Sequence, residues 1–336
     1  MSTAGTIIAG WQKSNIQVIL NKTSISTVPS GTATLAFRNV GNGPWPRQNK
    51  ALRDLGLQST GGTNSMKIAS DRAMASVQRP AFTLDLPFTP TALAFAAIST
   101  MQNRTTDTAA VYALPYTDPQ AALWFGMETT FGASSGRTVT GAIGKTLKIS
   151  VPPSGADGGQ PTLSLDCIAY STAQMDALTL TPAILDTAAP CQSTDWNVTY
   201  GASGALAAIG HCGFDLSITN NAEVDPQVSV NPTSYALGEL AITGSIKVVM
   251  SSTAGDEYNT MHDDWLAGTV KEFQFNWGTA GATAYFIIPV LLEEPGEPEK
   301  QGNIMVVNVP FVGYYKDADE PKMWFASMAT PLTIWA

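Results

Sequence analysis

Apolar and polar residues alternate along most of this chain, in short runs separated by Gly, Pro, Asn and Ser. Such alternation puts one side of a strand in a core and the other in solvent. In the first half it is carried by Ala33-Thr-Leu-Ala-Phe-Arg38, Ala81-Phe-Thr-Leu-Asp-Leu86, Thr146-Leu-Lys-Ile-Ser-Val151 and Pro161-Thr-Leu-Ser-Leu-Asp-Cys-Ile-Ala169. In the second half it is carried by Phe214-Asp-Leu-Ser-Ile218, Ala241–Met250, Thr283–Leu292 and Asn303–Val312. The apolar run Ala92–Ile98 reads as a further strand. Two stretches read as helices. One covers 254–267, with Thr253 and Asp256 as a capping box, Tyr258, Met261 and Trp265 on its apolar face, and Gly268 at its C-terminal cap. The other is a short helix Gln120–Phe125, opened by Asp118-Pro119 and closed by Gly126. The chain is therefore expected to be mainly β, with one helix in each half.

The two halves echo each other in the order strand, helix, strand, strand. Trp124 and Trp265 are 141 residues apart, and Gly126–Gly268 and Leu163–Met305 are each 142 apart. An insertion in the first half near 99–117 absorbs the drift upstream of the helices. These offsets predict two tandem domains, 31–200 and 201–321, although two unrelated β-sandwich halves can also be aligned this loosely. Residues 1–30 and 322–336, which hold Trp11, Trp324 and Trp335, are expected to be arms that dock on neighbouring subunits.

Composition sharpens this picture. The chain of 336 residues is 44% hydrophobic and only 13% charged, so much of its surface is neutral and suited to meeting other protein. Charge is unevenly spread: residues 1–200 carry 13 basic and 11 acidic side chains, and residues 201–336 carry 5 and 16. The balances are +2 and −11. Each half also has a long polar loop after its first strand, about 41–77 and 220–238. Between Arg38 and Arg79 lie Arg47, Lys50, Arg53, Lys67 and Arg72, opposed by Asp54 and Asp71 alone. The second loop has Glu223 and Asp225 and no base. Opposite charges on two such loops suit contacts between copies of the chain, and solvated loops would carry them equally well.

No catalytic chemistry emerges. His211 sits at a strand boundary, and His262 lies on a polar helix face beside Asp263 and Asp264, where two ligands without a third make a poor zinc site. Phosphate loops, dinucleotide fingerprints and nucleophile elbows are missing, so no catalytic residue, metal or cofactor is expected. The odd cysteines Cys167, Cys191 and Cys212 lack metal-like spacing, and Cys167 reads as a small buried hydrophobe. No run of about eighteen apolar residues suggests a membrane span. Synthesis in a reducing cytosol is expected, with the site of action elsewhere.

The stretch from His211 to about Met328 resembles the tail tube (major tail) protein family of long-tailed phages. The resemblance rests on Phe214-Asp-Leu-Ser-Ile-Thr-Asn-Asn221, Tyr235-Ala-Leu-Gly238, Ile242–Val249, the helix ending Trp265-Leu-Ala-Gly268, and Asn303–Val312. It implies tandem tail-tube-type β-sandwich or barrel domains, each with one flanking helix. It also implies a homo-oligomer of trimeric, pseudo-hexameric rings stacked into a tube within the virion, alongside other tail proteins, through which DNA passes, with the long early loop reaching the next ring. A duplex carries about one charge per 1.7 Å, so a basic bore would hold it and an acidic one would let it move. Glu293, Glu294, Glu297 and Glu299, around a Pro-Gly turn, are the candidate lumen or rim acids, with a solvated acidic hairpin as the other reading. The rival functions are another virion β-sandwich (tail terminator, capsid decoration or receptor-binding protein) and a carbohydrate-binding or hydrolytic module.

Overall fold

A computed structural model describes residues 14–21, 26, 28–38, 51–53, 73–75, 80–107, 110–115, 123–131, 136–153, 159–175, 179–181, 188–224, 235–250, 257–278, 283–315 and 321–326. The first half opens with β1 (Ser14–Asn21), β2 (Gly31–Thr32), β3 (Leu35–Arg38), β4 (Ala51–Arg53), β5 (Ala73–Ala75) and β6 (Ala81–Leu86). Helix α1 (Pro90–Met101) follows, then β7 (Gln102–Asp107), β8 (Ala110–Pro115) and β9 (Trp124–Phe131). The half closes with β10 (Gly136–Val151), β11 (Thr162–Met175) and β12 (Leu180–Thr181). The second half begins with β13 (Trp196–Ala202), β14 (Ala205–Ala208), β15 (His211–Thr219), β16 (Glu223–Val224), β17 (Tyr235–Ala236) and β18 (Ala241–Val249). Helix α2 (Glu257–Ala267), β19 (Lys271–Trp277), β20 (Ala284–Leu292), β21 (Glu299–Gln301), β22 (Ile304–Gly313) and β23 (Lys322–Ala326) complete it.

The protein is mainly β. Seventeen of the described strands join one large sheet that closes on itself, and β2·β12, β4·β5 and β16·β17 form small ladders apart from it. Alternation explains the strands: Phe82, Leu84 and Leu86 of β6 point inward, while Ala81 and Thr83 are exposed. One hydrophobic core runs through both halves. Phe88, from the first half, packs edge-on against Trp196 and Trp277 of the second, with ring centroids 6.0 and 5.6 Å apart.

The helix of the first half is not where the sequence pattern put it. Ala92–Ile98, expected as a strand, lies inside α1, and every residue from Ala92 to Met101 is buried. A helix covered on all sides has no polar stripe, so it lacks the 3.6-residue signature and resembles a buried strand. The overlooked signal is Thr89-Pro90: the Thr89 hydroxyl accepts from the Ala92 N–H, and proline fills the first helical position. Conversely, Trp124–Phe125, assigned to a short helix, begin β9, and residues 120–122 lie outside the described residues. Trp124 and Gly126 therefore do not correspond to Trp265 and Gly268. Helix α2 does form over Glu257–Ala267, seating Met261 in the core.

Strand pairing follows a similar order in the two halves. The antiparallel ladders β1·β3, β1·β9, β9·β10, β10·β11 and β11·β6 recur as β13·β14, β13·β19, β19·β20, β20·β22 and β22·β18. Each half places its helix after the strand β6 or β18. The hairpin β7·β8 has no counterpart among the described residues and lies over α1. Burial shifts one pairing: Leu163 is buried and Met305 is 42% exposed, so Val307, fully buried two residues on, holds the equivalent inward position. Within the terminal spans expected to be arms, β1 pairs on both sides inside the chain, with β3 and β9, and β23 pairs with β8 and β20. Residues 1–13 and 327–336 lie outside the described residues.

The halves are sewn together at β10. This strand pairs with β9 up to Ala142 and, past a register shift against β11 between Gly144 and Thr146, pairs Thr146–Val151 with Thr219–Phe214 of β15. Asn220 seals the break. Its Nδ2 donates to the carbonyls of Thr100 (2.9 Å) and Gly144 (2.8 Å), and its Oδ1 accepts from the Ala222 N–H (3.0 Å). The Ser99 hydroxyl accepts from the Gly144 N–H at 2.8 Å, fixing α1 to the same point. Asn220 is fully buried, so Asn220→Ala strands two carbonyls and one N–H without water. We expect a loss of about 3 kcal/mol in urea unfolding, and at least as much for Asn220→Asp, which cannot donate.

Candidate functional site

Six adjacent strands drawn from both halves, in the order β6, β11, β10, β15, β18, β22, form one continuous outward face. Because side chains alternate along each strand, its outward positions line up in rows across the strands. One row reads Asp85, Ser164, Lys148, Ser217, Thr243, Val312. A neighbouring row reads Thr162, Ser150, Asp215, Ser245, Pro310. The face is thus mostly hydroxyl-bearing. Its acids Asp85, Asp166 and Asp215 are set against Lys148 and Lys247, and Lys148 bridges Asp166 at 2.7 Å. A shallow trough along it is lined by Lys148, Ser150, Asp215, Ser217, Thr243 and Ser245.

The candidate acids lie at the border of this face. Glu293, Glu294, Glu297 and Glu299 are all exposed, on the segment that leaves β20 and runs beside β22. The Glu293 N–H donates to the Pro310 carbonyl (2.9 Å) and the Gly296 N–H to that of Asn308 (2.8 Å). Of the loop residues, Glu223 is exposed at the start of β16, and Arg53 ends β4 opposite Ala73. Arg47, Lys50, Lys67, Arg72 and Asp225 lie outside the described residues. The six-strand face was missed in the sequence. Its signal was present as the Ser, Thr and Asp at alternate positions of these strands, but only the ladders show that they share one surface.

Reactive groups are held in unreactive settings. Burial raises the Cys167 thiol well above its usual range, the nearby Asp166 carboxylate adding to it, and burial pushes Cys191 up to about 12. Burial raises the Tyr200 phenol, and its hydroxyl donates to Asp264 at 3.0 Å. His262 packs between Tyr258 and Trp265, with centroids 6.0 and 5.4 Å away. Among the described residues no three His, Cys, Asp or Glu side chains gather as metal ligands, and no helix is long and apolar enough to cross a membrane.

A profile of the phage tail tube protein family matches residues 26–313. The chain belongs to that family. The match reaches from ahead of β3 to the last residue of β22, so it takes in the first half as well as the stretch on which the sequence resemblance rested. Comparison with curated proteins returned no match. Membership makes this a structural component of the phage tail.

One titratable group sits at the seam between the halves. His211 opens β15, its Nδ1 accepts from the Gly213 N–H at 3.2 Å, and burial lowers its pKa from the ordinary 6.5, a backbone bond near Trp196 opposing in part. The unfolded chain therefore takes up this proton first on acidification. The contribution of neutral His211 is complete above about pH 6.5 and is lost as pH falls from there through the folded value. Urea midpoints measured between pH 7.5 and 5 should fall more steeply for the wild type than for His211→Gln.

Proposed function

We propose that this tail tube protein builds stacked rings of three chains, each chain supplying two tube units, and that its six-strand polar face lines the conduit through which DNA leaves the virion. The observation that carries this reading is the continuity of that face across both halves. A sheet that runs from β6 through the seam to β22 is a wall segment, and three copies supply about eighteen strands, in the size range where closed barrels leave an aqueous channel. At roughly 4.8 Å per strand and a tilt near 40°, such a wall is about 36 Å across from backbone to backbone, wide enough for a duplex.

The chemistry of the face suits passage rather than capture. Six to ten Lys or Arg contacts hold DNA firmly, and repetition over many rings would multiply them. Here serine and threonine dominate, and the few lysines are outnumbered by aspartates. Unlike the expectation from sequence, the bore in this reading is hydroxyl-lined and only mildly acidic, with the four glutamates at its border. The two halves, recurring in ladder order, act as two units of a pseudo-hexamer, a closed arrangement that symmetry permits.

Two measurements test this. Negative-stain microscopy of the purified chain should show rings or hollow rods; a solution of compact monomers at every concentration would refute the tube. Ser217→Arg with Thr243→Arg should leave rods intact in virions while slowing DNA release, and unchanged release would remove this face from the bore.

A further inference from the structure

Two glutamates are buried among the described residues, and only one of them is paired. Glu128 of β9 accepts from the N–H groups of Thr179 and Leu180 at 3.1 and 3.0 Å, as a buried carboxylate must. Glu272 of β19 is 8% exposed, and among the described residues no hydrogen bond or ion pair reaches its carboxylate. The next two residues on the same side of β19 also keep free groups. Gln274 donates its Nε2 to the Asn276 Oδ1 at 2.8 Å, which leaves the Gln274 Oε1 and the Asn276 Nδ2 without a partner among the described residues. Asn276 is itself buried.

These three side chains lie on the far layer from the polar six-strand face. The alternate residues Phe273 and Phe275 point into the core, with ring centroids 5.0 Å from Phe311 of β22 and 4.6 Å from Phe214 of β15. Glu272, Gln274 and Asn276 therefore belong to the opposite outer surface. Aromatic residues stand beside them, one strand spacing of about 4.8 Å away or a little more. Asn276 lies opposite Tyr285 of β20, which is half-buried, and the same row continues by register to Trp324 of β23 and Tyr112 of β8. Glu272 lies opposite Pro289, whose carbonyl accepts from the Tyr314 N–H at 2.7 Å, so its row leads to Tyr314, 37% exposed. Between the two rows Gln274 lies opposite Ile287.

We propose that this surface binds a neutral oligosaccharide, with Glu272, Gln274 and Asn276 bonding the hydroxyls of successive sugar units and Tyr285 and Tyr314 lying against their C–H faces. A hydroxyl both donates and accepts, so one kind of ligand serves a carboxylate, an amide oxygen and an amide nitrogen in turn. The apolar side of a sugar ring covers aromatic surface that water leaves unsatisfied. Other ligands fit the same groups poorly. An extended peptide pairs its backbone with a strand edge, and the face of a sheet offers it side chains alone. A polyanion meets the like charge of Glu272 and finds Lys322, opposite Ile287, as the one base in these rows among the described residues. A divalent cation needs more oxygen ligands than one carboxylate and an amide supply. The site is complete within one chain, so it does not depend on ring formation. In the tube reading it lies on the side away from the bore, where a surface polysaccharide can reach it.

The test is isothermal titration of the full chain with three linear neutral probes, cellohexaose, maltohexaose and chitohexaose. At least one should bind saturably at millimolar concentration or below. Glu272→Gln should weaken that binding by about tenfold or more, because a charge-assisted bond becomes a neutral one. Tyr314→Ala should weaken it as well, and circular dichroism should match the wild type for this exposed position. If Glu272→Gln does not fold, Tyr314→Ala decides alone. No saturable binding of any of the three probes would overturn the proposal and leave the tube reading untouched. Binding of equal strength in the wild type and in a folded variant would overturn it too, since the sugar would then sit elsewhere. Tyr314 that is labelled by a tyrosine-modifying reagent in single chains and shielded in rods, with no sugar bound by either, would give this surface to a protein neighbour instead.

Discussion

The fold depends on one strand having two sets of partners. Over its first part β10 completes the first half by pairing with β9, and past the break at Gly144 it offers the same edge to β15. A sheet can change partners only where a register break frees backbone groups, and each freed group must find a new bond once water is excluded. Asn220, just past β15, and Ser99 of α1 supply those bonds from two directions at once. Without them the halves would be two sheets with raw edges; with them, one wall runs through the chain.

That arrangement also accounts for the differences between two halves built on the same ladders. Helix α1 is buried all round because β10 lies on one side and the extra hairpin β7·β8 on another, whereas α2 seats only Met261 and leaves Leu266 in solvent. Ile143, on the outward side of β10, is fully buried by the second half, whereas Leu291 on the outward side of β20 is half-buried.

For a conduit, the chemistry follows from what the wall must avoid. Cys167 and Cys191 are buried, His262 packs between the tilted rings of Tyr258 and Trp265, and the broad face is lined by serine and threonine. Hydroxyls keep such a surface wet without offering phosphates a row of cations. The glutamates Glu293, Glu294, Glu297 and Glu299 lie elsewhere, at the border beside β22.

The sequence alone determined the mainly β class, most strand positions, helix α2, the absence of a catalytic motif and the resemblance to tail tube proteins. All of these depend on local alternation, capping residues and short patterns that neighbours in the chain express directly. It misread Ala92–Ile98 because a helix buried on every side looks, residue by residue, like a buried strand. Its expectation of an acidic bore rests on a tally of charges along the chain, and such a tally does not say which residues share a surface. Only the tertiary structure decided that Ser164, Lys148, Ser217 and Thr243 form one row, that Asn220 closes the seam, and that Tyr235 of the second half covers Ile143 of the first. These are relations between strands far apart in the chain, set by ladder register, and no local pattern encodes them.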